Sequence, residues 1–347
     1  MYGYLIDNVI EFTVLLENGD IVKANKDNQY SDLYWALAGS GHGGFGIVVD
    51  FKIKLYPIEP YYYENAITYA LKDTNRLFEI INTYMESLEK CKLNRIGVSI
   101  DTRFNNVDDK VNCTLIYFYN GAVDQGELEF KKFYNLFKIG GLDVQVEEFD
   151  GSKIKKSILD IIKSVPLDNG TFRQYSKCRF IANLNKDISK TYKEIIDLGL
   201  ETKNKQLIDS SDQFEISASI YYQGGKQSQY DPNINNSFIH RGDDYNWTVV
   251  IICKYNNEAN DVPFLKYKGE INKRMPIFHN QIYQNYPDDD ITNWQEAYYG
   301  YNYPKLQQIK LKYDPNNYFK FPQSIELPNN SNNNNNDSNN FKHLIKF

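Results

Sequence analysis

The chain has 347 residues, with 39 lysines and arginines against 45 aspartates and glutamates, for a net charge of −6. That acidic excess argues against a protein built to grip nucleic-acid phosphates, and no apolar run of about 18 residues predicts a membrane span. Hydrophobic residues at 41% and charged residues at 24% exclude a wholly disordered chain, and the length suits about two domains.

Tyrosine, at 29, and phenylalanine, at 20, suit strands and half-polar binding walls. Cys91, Cys113, Cys178 and Cys253 lie far apart and form no CxxC pair, so no metal site is predicted. Their even number allows two disulfides, and four buried thiols in a reducing compartment fit equally well. No signal-peptide pattern follows Met1, and the compartment stays open.

In chain order, residues 9–16 alternate as a strand and return through Asn18-Gly19 into residues 21–24. This dipeptide is the strongest short hairpin signal, with both residues expected at positive φ. Ser31 is the expected N-cap of a helix to Ala38. The segment Gly39-Ser40-Gly41-His42-Gly43-Gly44-Phe45-Gly46 then places five glycines in eight residues. Residues 47–55 leave as a strand, with Ile47, Val49, Phe51, Ile53 and Leu55 predicting one buried face. The loop lacks the GK[ST] of a P-loop, and helix–glycines–strand reverses the Rossmann order. Spacing alone leaves a structural turn and a cofactor loop equally open.

Further on, helices are expected over 73–90, 127–137 and 186–198, and strands over 96–102, 111–119, 214–222 and 245–253. The order predicts an α+β class, with an antiparallel sheet flanked by helices on one face. An aromatic block at 294–306 leads into a short helix at 305–311 and the turn Asp314-Pro315. Residues 329–340 are nearly all asparagine and are read as a disordered tail.

Tyr298-Tyr299-Gly300-Tyr301-Asn302-Tyr303-Pro304-Lys305-Leu306, Tyr313-Asp314-Pro315-Asn316-Asn317 and Phe321-Pro322-Gln323-Ser324-Ile325 resemble the closing segment of the berberine-bridge-enzyme-like family of FAD-linked oxidases. The family's usual arginine before the leucine is Lys305 here. Residues 2–56 resemble the last part of the same family's PCMH-type flavin domain, through Asp7-Asn8-Val9, Glu17-Asn18-Gly19, Ser31 to Leu37 and Gly43-Gly44-Phe45-Gly46-Ile47-Val48. Gly224-Gly225 and Phe238-Ile239-His240-Arg241 resemble its substrate-domain signals.

The resemblance implies residues 1–58 as the C-terminal part of an FAD-binding domain and 59–285 as an α+β substrate domain. It makes 286–327 a segment returning to the flavin domain and 328–347 a tail. It implies FAD, oxidation of an alcohol or sugar-like small molecule, and dioxygen as electron acceptor, with no nucleic-acid or membrane partner. Gly43, Gly46, Ile47, Val48, Asn302, Asp7 and Asn8 are the implied cofactor contacts. Tyr298, or else Tyr299, is the implied base; His240, Tyr245 and Trp247 are candidate substrate contacts. A full-length family member begins with a subdomain carrying the pyrophosphate loop and the covalent-flavin histidine. No motif here matches it, so noncovalent FAD at best is expected. The alternatives are a non-catalytic truncated remnant and a flavin-free protein that binds a small molecule or carbohydrate.

Overall fold

The computed structural model describes residues 3–41, 44–57, 63–90, 96–105, 110–138, 144–146, 172–182, 184–204, 214–223, 225–229, 231 and 236–329. His42, Gly43, Cys91, Gly224 and the asparagine run from 330 onward lie outside them.

The first sheet contains β1 (Val9–Leu15), β2 (Ile21–Ala24) and β3 (Ile47–Ile53) in the antiparallel order β2-β1-β3. Leu15 pairs with Ile21, so the hairpin loop spans 16–20 rather than two residues. Only Gly19 takes positive φ, at 87°. Asn18 instead accepts the Asp20 N–H at 3.0 Å, an Asx-type closure made without positive φ at Asn18 itself. Helix α1 (Ser31–Leu37) buries Leu33, Trp35 and Ala36 against this sheet. Strand β3 departs from its alternation, because all seven of its residues are exposed. Its Ile47, Val49 and Phe51 are 52%, 54% and 48% exposed, so nothing among the described residues covers it.

The second sheet has seven antiparallel strands: β4 (Tyr63–Leu71), β5 (Ile96–Asn105), β6 (Val111–Tyr119), β7 (Val144–Val146), β8 (Arg173–Ile181), β9 (Phe214–Tyr222) and β10 (Trp247–Tyr255). Their order is β7-β4-β6-β5-β9-β10-β8. Alternate residues such as Ile100, Leu115, Ile220 and Ile251 point to one face and are fully buried. Helices α2 (Asn75–Lys90), α3 (Val123–Leu136), α4 (Lys186–Asn204) and α5 (Asp261–Asn272) pack on that face, through Ile81, Phe133, Tyr192 and Phe264. This is the expected α+β arrangement. Cys113, Cys178 and Cys253 are buried free thiols, and burial pushes Cys113 and Cys178 up to about 12, so they stay protonated.

A second core joins the two ends of the chain. It contains Phe12, Val14, Leu33, Ala36 and Phe45 together with Ile282, Tyr298, Leu306 and Ile325. Helices α6 (Trp294–Tyr299) and α7 (Tyr303–Tyr313) bring the C-terminal residues to it. Lys305 lies 3.6 Å above the Trp35 ring, and the Tyr313 hydroxyl donates to Asp32 at 2.7 Å, docking α7 on α1. Cys178 and Val250, from the face of β8 and β10 opposite α2 to α5, complete this core.

Candidate functional site

The glycine loop is gripped by the C-terminal segment. Its backbone carbonyls accept three side-chain donors that follow it by more than 240 residues: Gln284 Nε2 on Gly39, Tyr299 Oη on Ser40 and Lys310 Nζ on Gly44. Gly44, at φ +80°, leaves room for the Phe319 carbonyl oxygen, which a Cβ would approach to 2.8 Å. A Cβ on Gly46 would lie 2.6 Å from the Leu15 oxygen. Both glycines therefore permit contacts within the protein. Ile47 and Val48, immediately after them, are exposed. The Ser40 hydroxyl is fully buried with no hydrogen-bond partner among the described residues.

Tyr298 and Tyr299 are buried at the base of this loop. The Tyr298 hydroxyl accepts the Asp288 N–H at 2.8 Å and donates to Gln323 Oε1 at 3.0 Å. Burial pushes its phenol up to about 12, opposed by the Asp288 N–H. Burial also raises Tyr299, whose hydroxyl is spent on the Ser40 carbonyl at 3.3 Å. Neither environment lowers a phenol toward the working range of a base. Asn302 precedes α7 without capping it; its Nδ2 donates to the Ser237 carbonyl at 3.1 Å.

Asp7 and Asn8 sit in a short turn before β1. Both Asp7 oxygens are taken by Arg241, at 2.6 and 3.0 Å, and Asn236 and the Tyr4 N–H also bond to them. Asn8 donates to the Tyr4 carbonyl at 3.0 Å. His240 is fully enclosed among Phe180, Phe238 and Tyr245, with ring centroids 4.5 to 5.5 Å away. Its nitrogens lie near Gln281 and the Ile282 backbone without a bond of good geometry. Burial, with His279 and Arg241 nearby, lowers its pKa to about 3, so it is a neutral packing group. The Tyr245 hydroxyl donates to Gln281, and its ring lies 5.2 Å from His279.

Trp247 projects to the helix-covered face with Val249 and Ile251, against Tyr84 and Tyr222. Strand phase thus separates it from the opposite face of the sheet. That face carries a polar row that motif reasoning missed. Asp101 accepts the Ser219 hydroxyl at 2.6 Å and pairs with Arg103 at 2.8 Å; Arg103 also reaches Glu215. Tyr221, opposite Ser99 in the register, is 40% exposed. The buried Thr248 hydroxyl, on the strand paired with Tyr221, has no partner among the described residues. The signal was present: Ser99, Asp101 and Arg103 recur at period two on β5, facing Ser217, Ser219 and Tyr221 on β9.

The carboxylates of Asp288, Asp289 and Asp290 converge closely enough to suggest a cation site. Lys177 and Arg179 neutralise Asp288, and Lys268 reaches Asp289 and Asp290, so the cluster reads as an ion-pair network.

Residues 282–326 match the family described as berberine and berberine like. A carbohydrate oxidase from Microdochium nivale is 26% identical over 94% of this chain and 64% of its own length. Tetrahydroberberine oxidase from Argemone mexicana is 24% identical over 93% of this chain and 61% of its own. The chain thus spans less than two thirds of both relatives. Among solved structures, berberine bridge enzyme from Eschscholzia californica superposes with a TM-score of 0.73. It is 19% identical, over 94% of this chain and 67% of that one. CrmK, a flavoenzyme of caerulomycin biosynthesis, gives 0.73 at 17% identity, over 94% and 71%.

Proposed function

We propose, from the premise that this chain belongs to the berberine-bridge-enzyme-like family of FAD-linked oxidoreductases, that it serves flavin-dependent oxidation of a hydroxylated small molecule, an alcohol or a sugar. The observation that carries the reading is the polar row on the face of the large sheet opposite α2 to α5. There Asp101, Ser219 and the half-exposed Tyr221 stand on the side of the sheet that also contributes Cys178 and Val250 to the core of the glycine loop. The resemblance to a carbohydrate oxidase favours hydroxylated substrates.

The residues around the loop suit the ring end of a flavin. Ile47 and Val48 offer exposed apolar surface, and Ser40 holds an unspent buried hydroxyl; a planar ring with a polar edge satisfies both. Gly43 and Gly46, with Asn302, would border that ring, and residues 1–58 and 286–327 together would form the flavin-binding part. Asp7 and Asn8 support it from the N-terminal side. A bound flavin would supply the hydride-accepting chemistry, with dioxygen as the electron acceptor.

The chain's own residues bind and orient. The Tyr221 ring gives an apolar face for a sugar or aromatic alcohol. Asp101, fixed by Ser219 and Arg103, is the carboxylate placed to receive the substrate hydroxyl's hydrogen. Tyr298 and Tyr299 act through packing and hydrogen bonding, since burial holds both phenols protonated.

FAD titration of the purified chain, followed by acid precipitation, tests the cofactor reading: quenched flavin fluorescence with all flavin released by acid is expected. Flavin that stays in the pellet would overturn noncovalent binding. Saturable disaccharide binding without any flavin affinity would favour the flavin-free binding protein. With FAD bound, peroxide formation from disaccharides or benzyl alcohol should fall at least about a hundredfold in Asp101→Asn.

A further inference from the structure

Lys310 is fully buried in the last turn of α7, and a solitary ammonium withdrawn from water is costly. It is matched instead. A lysine ammonium has three N–H donors, and Lys310 Nζ meets three acceptors: the Asp314 carboxylate, the Gly44 carbonyl at 2.5 Å and the Phe319 carbonyl at 2.8 Å. Asp314 is itself fixed by the N–H groups of Tyr318 at 2.8 Å and Phe319 at 3.0 Å. The turn after α7 and the glycine loop are therefore tied through one nitrogen.

The tie has a directional consequence. The C=O and N–H of a trans peptide point to opposite sides, and the described chain holds no cis peptide. Holding the Gly44 carbonyl on Lys310 turns the Phe45 N–H away from α7. Gly44 sits in the left-handed region with the Phe319 oxygen against it, so the peptide has little room to rotate back. Such a loop is set by the C-terminal segment before any ligand arrives.

We infer that Lys310 is a positioning residue: it fixes the Gly44–Phe45 peptide and thereby the conformation in which the glycine loop meets its cofactor. The cofactor half of this statement rests on the flavin reading above; the loop half does not. The claim is specific to lysine. Arginine keeps the charge for Asp314, but its planar fork cannot direct donors to three acceptors around one centre.

Hydrogen exchange by mass spectrometry on the whole chain, with FAD titration alongside, tests it using Lys310→Arg and Lys310→Met. The expected result for Lys310→Arg is a folded protein with near-parental thermal unfolding. Amide exchange over residues 44–47 should be at least tenfold faster, exchange in β8–β10 unchanged, and FAD affinity at least tenfold weaker. If Lys310→Met does not fold, Lys310→Arg decides alone. Loop exchange within twofold of the parent, or acceleration spread evenly over the chain, would overturn the assignment, and so would unfolding of both variants. Should the parent bind no FAD while the variants still loosen 44–47, the flavin reading fails and the role of Lys310 in the loop stands.

Discussion

Arg241 grips Asp7 across 234 residues of chain, with two nitrogens on two oxygens, and both side chains are withdrawn from water. The guanidinium also lies 5.0 Å from the Tyr4 and Phe238 ring centres, so the N-terminal turn and the segment entering β10 close over one ion pair. Asp7, an expected cofactor contact, is thereby consumed by the fold. Breaking such a pair leaves an uncompensated buried charge, at a cost of about 3–5 kcal/mol. Urea unfolding should report that loss for Asp7→Asn and for Arg241→Met, with the double variant losing clearly less than the sum. Arg241→Lys should not rescue, because a point charge cannot replace the bidentate fork. A loss under about 1 kcal/mol in both single variants would show that the pair is solvated.

Two helical glycines should respond oppositely to the same substitution. A Cβ on Gly199 in α4 would meet the Phe104 ring at 2.5 Å, whereas one on Gly269 in α5 meets nothing within 4 Å. Gly199→Ala forces the large sheet and α4 apart and should cost about 1–3 kcal/mol. Gly269→Ala removes backbone freedom from the unfolded chain and should stabilise by about 0.5–1 kcal/mol. Thermal melts of both variants check the pair, and an equal response would refute the packing of α4 on β5.

Tyr298→Phe separates a structural tyrosine from a base. The hydroxyl receives the Asp288 N–H and bonds Gln323, whose amide in turn donates to the Asp288 carbonyl at 2.7 Å. Removing it strands a buried donor, worth about 1–3 kcal/mol. A lower unfolding midpoint with turnover kept within about tenfold is expected, against the hundredfold or more that loss of a general base brings. Full stability with abolished turnover would restore Tyr298 as the base.

Much of this fold is legible locally. The hairpin, α1, the glycine loop, α2, β5, β6, β9 and β10 follow from alternation, helical period and turn residues. Strand β8 does not, because Lys177 and Arg179 occupy its buried positions. Their charges are answered by Asp288, 111 and 109 residues later, which no local window contains. Helix α5 is obscured by Pro263 in its first turn and Gly269 in its interior. At the site, the glycine loop could be located but not explained: the group that orders it, Lys310, lies 266 residues from Gly44. For Trp247, alternation tells which strand residues share its face, and only the helices packed over Val249 and Ile251 reveal that this face is the one they cover.

His240 gives the chain a predicted acid sensitivity. Burial lowers its pKa from 6.5 to about 3, with His279 and Arg241 adding repulsion. The unfolded chain therefore takes up a proton below pH 6.5 that the folded chain refuses. Stability from the neutral ring is complete above pH 6.5 and is lost as pH falls toward 3. At pH 5 the shift amounts to about 1.5 pH units, or about 2 kcal/mol relative to neutral pH. His240→Phe keeps an aromatic ring among Phe180, Phe238 and Tyr245 and abolishes the titration. Urea unfolding of parent and variant at pH 7.5 and pH 5 should thus show the difference between them moving by about 2 kcal/mol in favour of the variant on acidification. A difference that stays constant across that interval would mean that His240 protonates in the folded state, and that its cage opens to water.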